Sequence, residues 1–173
     1  MSGELIKIAR KSGARKKYLK QFCEKYEIEF TPMRDRSLNI LELGVGGYKD
    51  ESRGGGSLKM WASFFPNATI VGVDINQKTL DLPNNVFFER GSQTDSQFLL
   101  GLVAKYGVFD IIIDDASHVT EKTIKTFEIL FPHTRHFYVV EDLHMAKAVG
   151  TIEYFSKLDN ADLSGENICF VQH

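Results

Sequence analysis

The chain has little cysteine: Cys23 and Cys169 are the only two in 173 residues. Two cysteines cannot build a disulfide framework, and they lack the spacing of a metal site. No run approaches the roughly 18 apolar residues of a membrane span, and the polar N-terminus has no apolar signal-peptide core. We therefore expect a reduced, cytoplasmic protein with no membrane partner.

The sequence also lacks an excess of charge of either sign. It carries 21 Lys and Arg against 23 Asp and Glu, for a formal net charge of −2. A basic cluster lies between Lys7 and Lys20, and a solvated helix face explains it better than a partner surface does. We therefore expect no nucleic-acid partner. The length suits one domain, and no break in composition marks a second.

Short β-rich runs alternate with helical patterns along the chain. This alternation predicts an α/β fold, with a mostly parallel central sheet and helices on both faces. The predicted strands span 38–43, 69–74, 86–89, 109–114 and 136–141, and the predicted helices span 57–65, 95–106 and 119–131. Ser57 and Asp95 are the predicted N-caps. A basic, helical segment over 4–26 precedes this core, and a helix at 151–158 and a strand at 168–172 follow it.

A glycine-rich turn follows the first predicted strand in the segment LELGVGGY. Gly44 and Gly46 let the chain turn sharply and bring bare backbone against a ligand. Asp74 ends the next predicted strand, where an acid meets the hydroxyls of a ribose. The two signals together predict a site for a nucleotide-like ligand.

Two acid pairs end neighbouring predicted strands, Asp114 with Asp115 and Glu141 with Asp142. Ligands of open parallel sheets bind outside these carboxyl ends, and strands about 4.8 Å apart let the acids converge. Carboxylates without cysteine suit a hard cation such as Mg²⁺. Neighbouring strand residues point to opposite faces, so Glu141 and Asp142 share an ion only if the chain leaves extended geometry there.

A histidine follows each acid pair and suits the role of proton acceptor at neutral pH. His118 is the first choice as a base, and His144 is a second candidate. The alternative is that Asp115 or Ser117 simply caps the helix near residue 119.

Two further loops allow two interpretations each. The loop 48–56 either closes over a ligand or is a plain flexible connection. Ser92 and Gln93 either hydrogen-bond a base edge or belong to a turn before a capped helix.

These motifs resemble a known family, the metal-dependent class I S-adenosyl-L-methionine methyltransferases that methylate sugar hydroxyls on macrolides, of the mycinamicin type. The resemblance runs from Tyr26 to His144. The matching segments are YEIEFTPMRD, ILELGVGGY, GGGSLKMW, FFPNATIVGVDI, RGSQTD, FDIIIDDASH and VVEDLH.

The resemblance implies a role for each matched residue, with S-adenosyl-L-methionine and Mg²⁺ as cofactors. Gly44 and Gly46 would approach the methionine part of the cofactor, Asp74 its ribose and Gln93 its adenine. The remaining residues of the implied set are Glu42, Ser92 and Asp114 for the cofactor, Asp115, Glu141 and Asp142 for Mg²⁺, His118 as catalytic base and Glu27 on the substrate side.

The implied activity is Mg²⁺-dependent methyl transfer to a hydroxyl of a vicinal diol on a sugar of a natural product or polysaccharide. The acceptor would be a small molecule or a glycan. The sequence leaves open whether the chain forms a homo-oligomer. The family pattern has glycine at Ala116 and an acid at Ser92. The expected division is an N-terminal helical segment 1–36, a core 37–145 and a C-terminal part 146–173, too short for the usual helix and two strands.

Three alternatives remain open from the sequence. A catechol-type acceptor also presents adjacent hydroxyls. A dinucleotide-dependent oxidoreductase is disfavoured because the turn lacks the third glycine of G-x-G-x-x-G. A non-catalytic binding module would keep the fold without an acceptor pocket.

Overall fold

A computed structural model describes residues 3–14, 19–145, 149–165 and 167–173 of the chain. It contains a seven-stranded sheet in the order β3-β2-β1-β4-β5-β7-β6. The strands are β1 (Asn39–Leu43), β2 (Thr69–Asp74), β3 (Val86–Arg90), β4 (Phe109–Asp114), β5 (Thr134–Glu141), β6 (Ala161–Gly165) and β7 (Ile168–Gln172). The helices are α1 (Glu4–Ser12), α2 (Leu19–Phe30), α3 (Gly56–Phe64), α4 (Ser96–Tyr106), α5 (Thr120–Leu130) and α6 (Val149–Phe155).

The sheet is parallel from β3 to β5 and antiparallel at its other edge. β1 lies between β2 and β4, and β5 follows β4, all in parallel pairs. β7 pairs antiparallel with β5, and β6 pairs antiparallel with β7. All six residues of β4 are buried, as expected for a strand covered on both faces. The predicted mostly parallel sheet is confirmed.

Helices cover both faces of the sheet and form two separate cores. On one face, Phe30 of α2 and Trp61 of α3 pack in a cluster with Leu5 of α1. On the other face, Phe127 of α5 and Phe155 of α6 pack in a second cluster, which α4 joins through its own leucines. All five named side chains are at most 5% exposed. The sheet is therefore held rigidly between two layers, and its strand ends are fixed in place.

The two predicted N-caps have different outcomes. Asp95 caps α4, because its carboxylate accepts the N–H groups of Gln97 and Phe98 at 3.1 Å each. Ser57 does not cap α3, since the helix begins one residue earlier and Gly55 occupies the N-cap position with φ 70°. The Ser57 hydroxyl instead donates to the carboxylate of Glu42 in β1.

Within the described residues, the predicted helical segment 4–26 contains α1 and the first part of α2, which continues to Phe30. α1 ends because Gly13 adopts a left-handed conformation with φ 74° and its N–H bonds back to the carbonyl of Ala9. The four basic residues of the cluster that lie within the described ranges are exposed, as a solvated helix face requires: Lys7, Arg10, Lys11 and Lys20. Arg15, Lys16 and Lys17 lie outside the described residues.

The prediction that 146–173 is too short for a helix and two strands was wrong. This part holds α6, β6 and β7. β6 has the sequence ADLSG, with no β-branched residue, so composition gave no signal for it. Its pairing with β7 shapes this edge of the sheet. Among the described helices, none combines the length and apolar character needed to cross a membrane.

Candidate active site

The carboxyl ends of the parallel strands open into a cavity of about 640 Å³. Six polar residues that the sequence predicted for the site line this cavity: Asp74, Ser92, Gln93, Asp115, His118 and Asp142. A smaller cavity of about 280 Å³ shares part of this wall, including Gly44, Arg53 and Asp115, and extends to the end of α1 at Gly13. Five of the residues predicted to bind the cofactor, and the second acid of each acid pair, therefore face a common space at the carboxyl ends of the strands.

Gly44 permits two strand-end turns to touch. Its N–H donates to the carbonyl of Val73 at 2.7 Å, and its φ is +89°. A Cβ atom at this position would lie 2.2 Å from the backbone oxygen of Asp115. Only glycine combines this φ with so close an approach. The turn after β1 is thus packed directly against the turn that carries the first metal-site acid.

Asp74 fixes the other side of the glycine turn. One carboxylate oxygen accepts the N–H of Val45 at 3.3 Å, and the other accepts the N–H and the side-chain amide of Asn76 at 2.8 and 3.2 Å. Ionised carboxylates offer about four acceptor positions. Asp74 therefore holds the turns after β1 and β2 together and keeps capacity for a ligand in the large cavity that it lines.

The loop 48–56 is attached to the segment that follows β2. The Lys78 ammonium, only 5% exposed, donates to the carbonyls of Tyr48 at 2.6 Å and Asp50 at 3.0 Å. The N–H of Thr79 donates to the carbonyl of Glu51 at 2.8 Å. This loop has defined anchors, while the side chain of Tyr48 is exposed at the rim of the large cavity.

Gln93 links three elements beneath the large cavity. Its amide nitrogen faces Asp114 at 3.3 Å and the hydroxyl of Thr126 at 3.2 Å. Its amide oxygen accepts the N–H of Ser117 at 3.1 Å. The hydroxyl of Ser92 lies 3.1 Å from that of Thr94. These bonds join the ends of β3 and β4 to α5 and set the shape of this wall.

Asp114, the last residue of β4, is 2% exposed and lies under the cavity floor. Burial raises the pKa of its carboxyl to about 7, although the N–H of Ala116 at 3.3 Å favours the ionised form. The Tyr138 hydroxyl lies 3.4 Å away. Asp114 is thus partly protonated at neutral pH in the protein without metal.

Asp115, His118 and Asp142 meet on the cavity wall. Each offers one ligand atom, and these atoms lie within 4.8 Å of one another. The His118 Nε2 atom is 3.9 Å from an oxygen of Asp115 and 3.8 Å from an oxygen of Asp142. Their side chains are between 17% and 28% exposed. Neither Asp115 nor Ser117 acts as the N-cap of α5, which is Val119.

Asp142 leaves the extended geometry of β5, with φ 58°. This meets the condition that the sequence placed on the second acid pair. Glu141, the residue before it, is 1% exposed and lies outside the group of Asp115, His118 and Asp142. Its carboxylate accepts the hydroxyl of Tyr26 at 2.6 Å. Burial, followed by the negative charges of Glu141 and Asp115, raises the pKa of Tyr26, so this hydroxyl remains a donor.

Three other predicted residues lie outside both cavity walls. The Glu27 carboxylate caps the start of α1, accepting the N–H groups of Glu4 at 3.1 Å and Leu5 at 3.3 Å. The fully buried Glu42 accepts the indole N–H of Trp61 at 2.6 Å. His144 Nδ1 lies 3.9 Å from an oxygen of Asp142.

Sequence reasoning missed Tyr26, Lys78 and Arg53. Tyr26 stands in a quoted motif, YEIEF, but nothing in that motif indicates its contact with Glu141, 115 positions later. The donor chemistry of the wall fits a hard cation, because Asp115 and Asp142 supply carboxylate oxygens that converge. The imidazole of His118 suits Mg²⁺ less well than oxygen does, which favours its role as a base.

No protein-family model matches the chain. The chain is 39% identical over 153 residues to the mycinamicin VI 2''-O-methyltransferase of Micromonospora griseorubida, covering 87% of this chain and 38% of that protein. It is 44% identical over 131 residues to the 8-demethyl-8-(2-methoxy-alpha-L-rhamnosyl)-tetracenomycin-C 3'-O-methyltransferase of Streptomyces olivaceus, covering 75% of this chain and 34% of that protein.

The fold is similar to that of the MycE methyltransferase of the mycinamycin biosynthetic pathway, solved in complex with Mg, SAH and mycinamycin VI. The TM-score is 0.86 at 31% identity, covering 96% of this chain and 53% of that one. The chain therefore spans about half or less of the length of these proteins. These matches confirm the predicted resemblance: the chain is related to the sugar O-methyltransferases of macrolide and polyketide biosynthesis and has their class I methyltransferase fold.

Proposed function

We propose that this chain transfers a methyl group from S-adenosyl-L-methionine to a hydroxyl of a vicinal diol, on a sugar of a glycosylated natural product or polysaccharide, with Mg²⁺ bound beside it. One observation carries the proposal. Asp115, His118 and Asp142 converge within 4.8 Å on the wall of the same cavity that Gly44 and Asp74 line. A metal and base site and a nucleoside site thus share one space.

The donor occupies the side of the cavity formed by β1, β2 and β3. Gly44, Gly46 and Asp74 line this side; the bare backbone of the two glycines would contact the methionine part, and Asp74 would accept a hydrogen bond from the ribose. Ser92 and Gln93 lie beside its adenine. Glu42 supports this side indirectly, because it anchors the start of α3 from within the core.

Asp115 and Asp142, which converge on the cavity wall, would hold the cation together with the neighbouring Glu141. A bound Mg²⁺ supplies positive charge that favours the deprotonated form of a nearby acceptor hydroxyl. His118 then takes the hydroxyl proton at Nε2 while the acceptor oxygen attacks the methyl carbon in line. The new oxygen–carbon bond forms as the carbon–sulfur bond breaks, and its electron pair stays on sulfur. We leave Glu27 out of this set because its carboxylate caps α1.

Positioning should supply more of the acceleration than the base does. Well-oriented reactants gain roughly 7–11 kcal/mol, whereas a general base accelerates the reaction about 10²–10⁴-fold, which corresponds to roughly 3–5 kcal/mol. His118 Nε2 lies 3.9 Å from an oxygen of Asp115 and 3.8 Å from an oxygen of Asp142, so the base would stand directly beside two of the acids that would hold the cation.

The proposal is tested with donor labelled at the methyl group and a panel of acceptors, with Mg²⁺ or with EDTA. We expect label in glycosylated macrolides that carry a sugar diol, and none when EDTA is present. Catechols in the same panel test the small-molecule alternative. Asp142→Asn should weaken Mg²⁺ binding more than about 100-fold, the upper range for residues that only support a ligand.

Asp159→Asn is the matched control, because Asp159 is exposed and lies on neither cavity wall. This variant should behave like wild type in every assay. A wild-type protein that binds neither Mg²⁺ nor S-adenosyl-L-homocysteine would overturn the proposed function and favour a non-catalytic module.

A further inference from the structure

Three consecutive residues of α2 make polar contacts with three different parts of the fold. The Lys25 ammonium pairs with Asp162 in β6, the Tyr26 hydroxyl donates to Glu141, and the Glu27 carboxylate caps α1. Successive helical residues are about 100° apart, so these side chains leave the helix in different directions. The helix is therefore fixed against the sheet edge, the end of β5 and α1 at the same time.

The contact between Tyr26 and Glu141 is short and enclosed. The two oxygens are 2.6 Å apart, and each residue is 1% exposed. The tyrosine ring makes edge contacts with Trp61 and Phe170, at centroid distances of 4.9 and 5.4 Å. The ring has no room to turn away, so the hydroxyl has one position. Hydrogen bonds from hydroxyl to carboxylate at this distance belong to the stronger class.

We propose that Tyr26 is a positioning residue of the metal centre, whose hydroxyl holds the Glu141 carboxylate in place for the cation that Asp115 and Asp142 also bind. This inference rests on the proposed function. Groups that hydrogen-bond a metal ligand fix its orientation, and their loss weakens metal binding without removing a ligand. A carboxylate offers about four acceptor positions, and the Tyr26 hydroxyl occupies one of those of Glu141.

The inference gives the N-terminal helices a part in the chemistry. Sequence reasoning placed the metal site wholly within 37–145 and gave the helical segment 1–36 only Glu27, on the substrate side. The structure brings α2 to the end of β5 through Tyr26, so the metal centre depends on a residue from outside that core. The Tyr26 ring packs against Phe30 from the N-terminal segment 1–36 and against Trp61 from the core 37–145.

The test is a Mg²⁺ titration of Tyr26→Phe by calorimetry, with the metal alone. Phenylalanine keeps the ring contacts and removes only the hydroxyl. We expect Mg²⁺ to bind about 10–100-fold more weakly. Affinity for S-adenosyl-L-homocysteine should not change, because Tyr26 lines neither cavity. In turnover, the Mg²⁺ concentration for half-maximal rate should rise, while the rate at saturating Mg²⁺ should largely recover.

Tyr138→Phe is the matched control. Tyr138 is also fully buried, and its hydroxyl lies 3.4 Å from Asp114, an acid outside the proposed ligand set. Its Mg²⁺ affinity should equal that of wild type. Equal Mg²⁺ affinity of Tyr26→Phe and wild type would overturn the positioning role alone, whereas a wild type that does not bind Mg²⁺ would overturn the proposed function too.

A measurement on the wild type covers the case in which Tyr26→Phe does not fold. If Tyr26 favours metal binding through Glu141, then Mg²⁺ must favour the contact in return. Hydrogen exchange of the α2 amides should therefore slow when Mg²⁺ is added, and unchanged exchange would contradict the inference.

Discussion

The two acid pairs at the carboxyl ends of β4 and β5 have the same order, a buried acid followed by an acid that lines the cavity, but different local structures hold them. In each pair the first acid ends a strand and is buried, at 2% exposure for Asp114 and 1% for Glu141. The second acid, Asp115 or Asp142, turns into the cavity. Adjacent acids in a sequence can therefore occupy different positions, one below the cavity wall and one on it.

The turns that separate the two acids are built differently. After β4 the turn is set by its neighbour, because the N–H of Asp115 donates to the carbonyl of Leu43 at 2.9 Å and Gly44 packs against it. After β5 the turn is set by its own backbone, since Asp142 has φ 58°. The buried acids differ as well. The Tyr138 hydroxyl lies 3.4 Å from Asp114, whereas the Tyr26 hydroxyl lies 2.6 Å from Glu141. Of the two buried acids, Glu141 therefore has the closer tyrosine hydroxyl.

His118 lies between the two pairs, so its replacement tests what they share. We expect His118→Asn to lower turnover about 10²–10⁴-fold, because the general base is lost. Asparagine is suited to the position, since it tolerates the φ of 52° found at His118. Turnover is measured at saturating donor, acceptor and Mg²⁺.

The same variant separates a base from a metal ligand. If His118 acts only as a base, its replacement should leave Mg²⁺ affinity close to that of wild type. Calorimetry measures this affinity directly. Loss of Mg²⁺ binding as severe as that of Asp142→Asn would show that His118 is a ligand instead.

Asp114→Asn tests the buried acid of the first pair through the pH dependence of stability. The folded protein raises the pKa of this carboxyl to about 7 from 3.8, so the folded state holds the proton more tightly than the unfolded state. This contribution is present below the unfolded pKa and is lost as pH rises toward 7. Each pK unit is worth about 1.4 kcal/mol, so the loss is on the order of 4 kcal/mol.

Urea unfolding in EDTA, from pH 4 to pH 8, measures this effect. The free energy of unfolding of wild type should fall relative to that of Asp114→Asn across this window. Parallel curves for the two proteins would show that Asp114 does not titrate in this way.

The fold and most of the cavity wall were predictable because local patterns determine them. Buried runs such as the six residues of β4 mark central strands, and acids at strand ends must meet at one edge of a parallel sheet. The contact of Tyr26 with Glu141 was not predictable, since it joins residues far apart in sequence through packing alone. Gly13, which ends α1, reads as an ordinary glycine until its φ is known.

Asp74 extends the comparison, because it is a third acid at the end of a parallel strand and its proposed partner is the methyl donor, not the cation. Asp74→Asn keeps one acceptor oxygen and removes the charge, so affinity for S-adenosyl-L-homocysteine should fall by about 1.5–3 kcal/mol, or roughly 10–150-fold. Mg²⁺ affinity should stay at the wild-type value, and the exposed Asp81, replaced by Asn, is the control for surface charge. Calorimetry with S-adenosyl-L-homocysteine alone and with Mg²⁺ alone measures the two affinities. Loss of both affinities would mean that the turn held by Val45 and Asn76 also supports the acid pairs, so that the donor and metal sides are one unit.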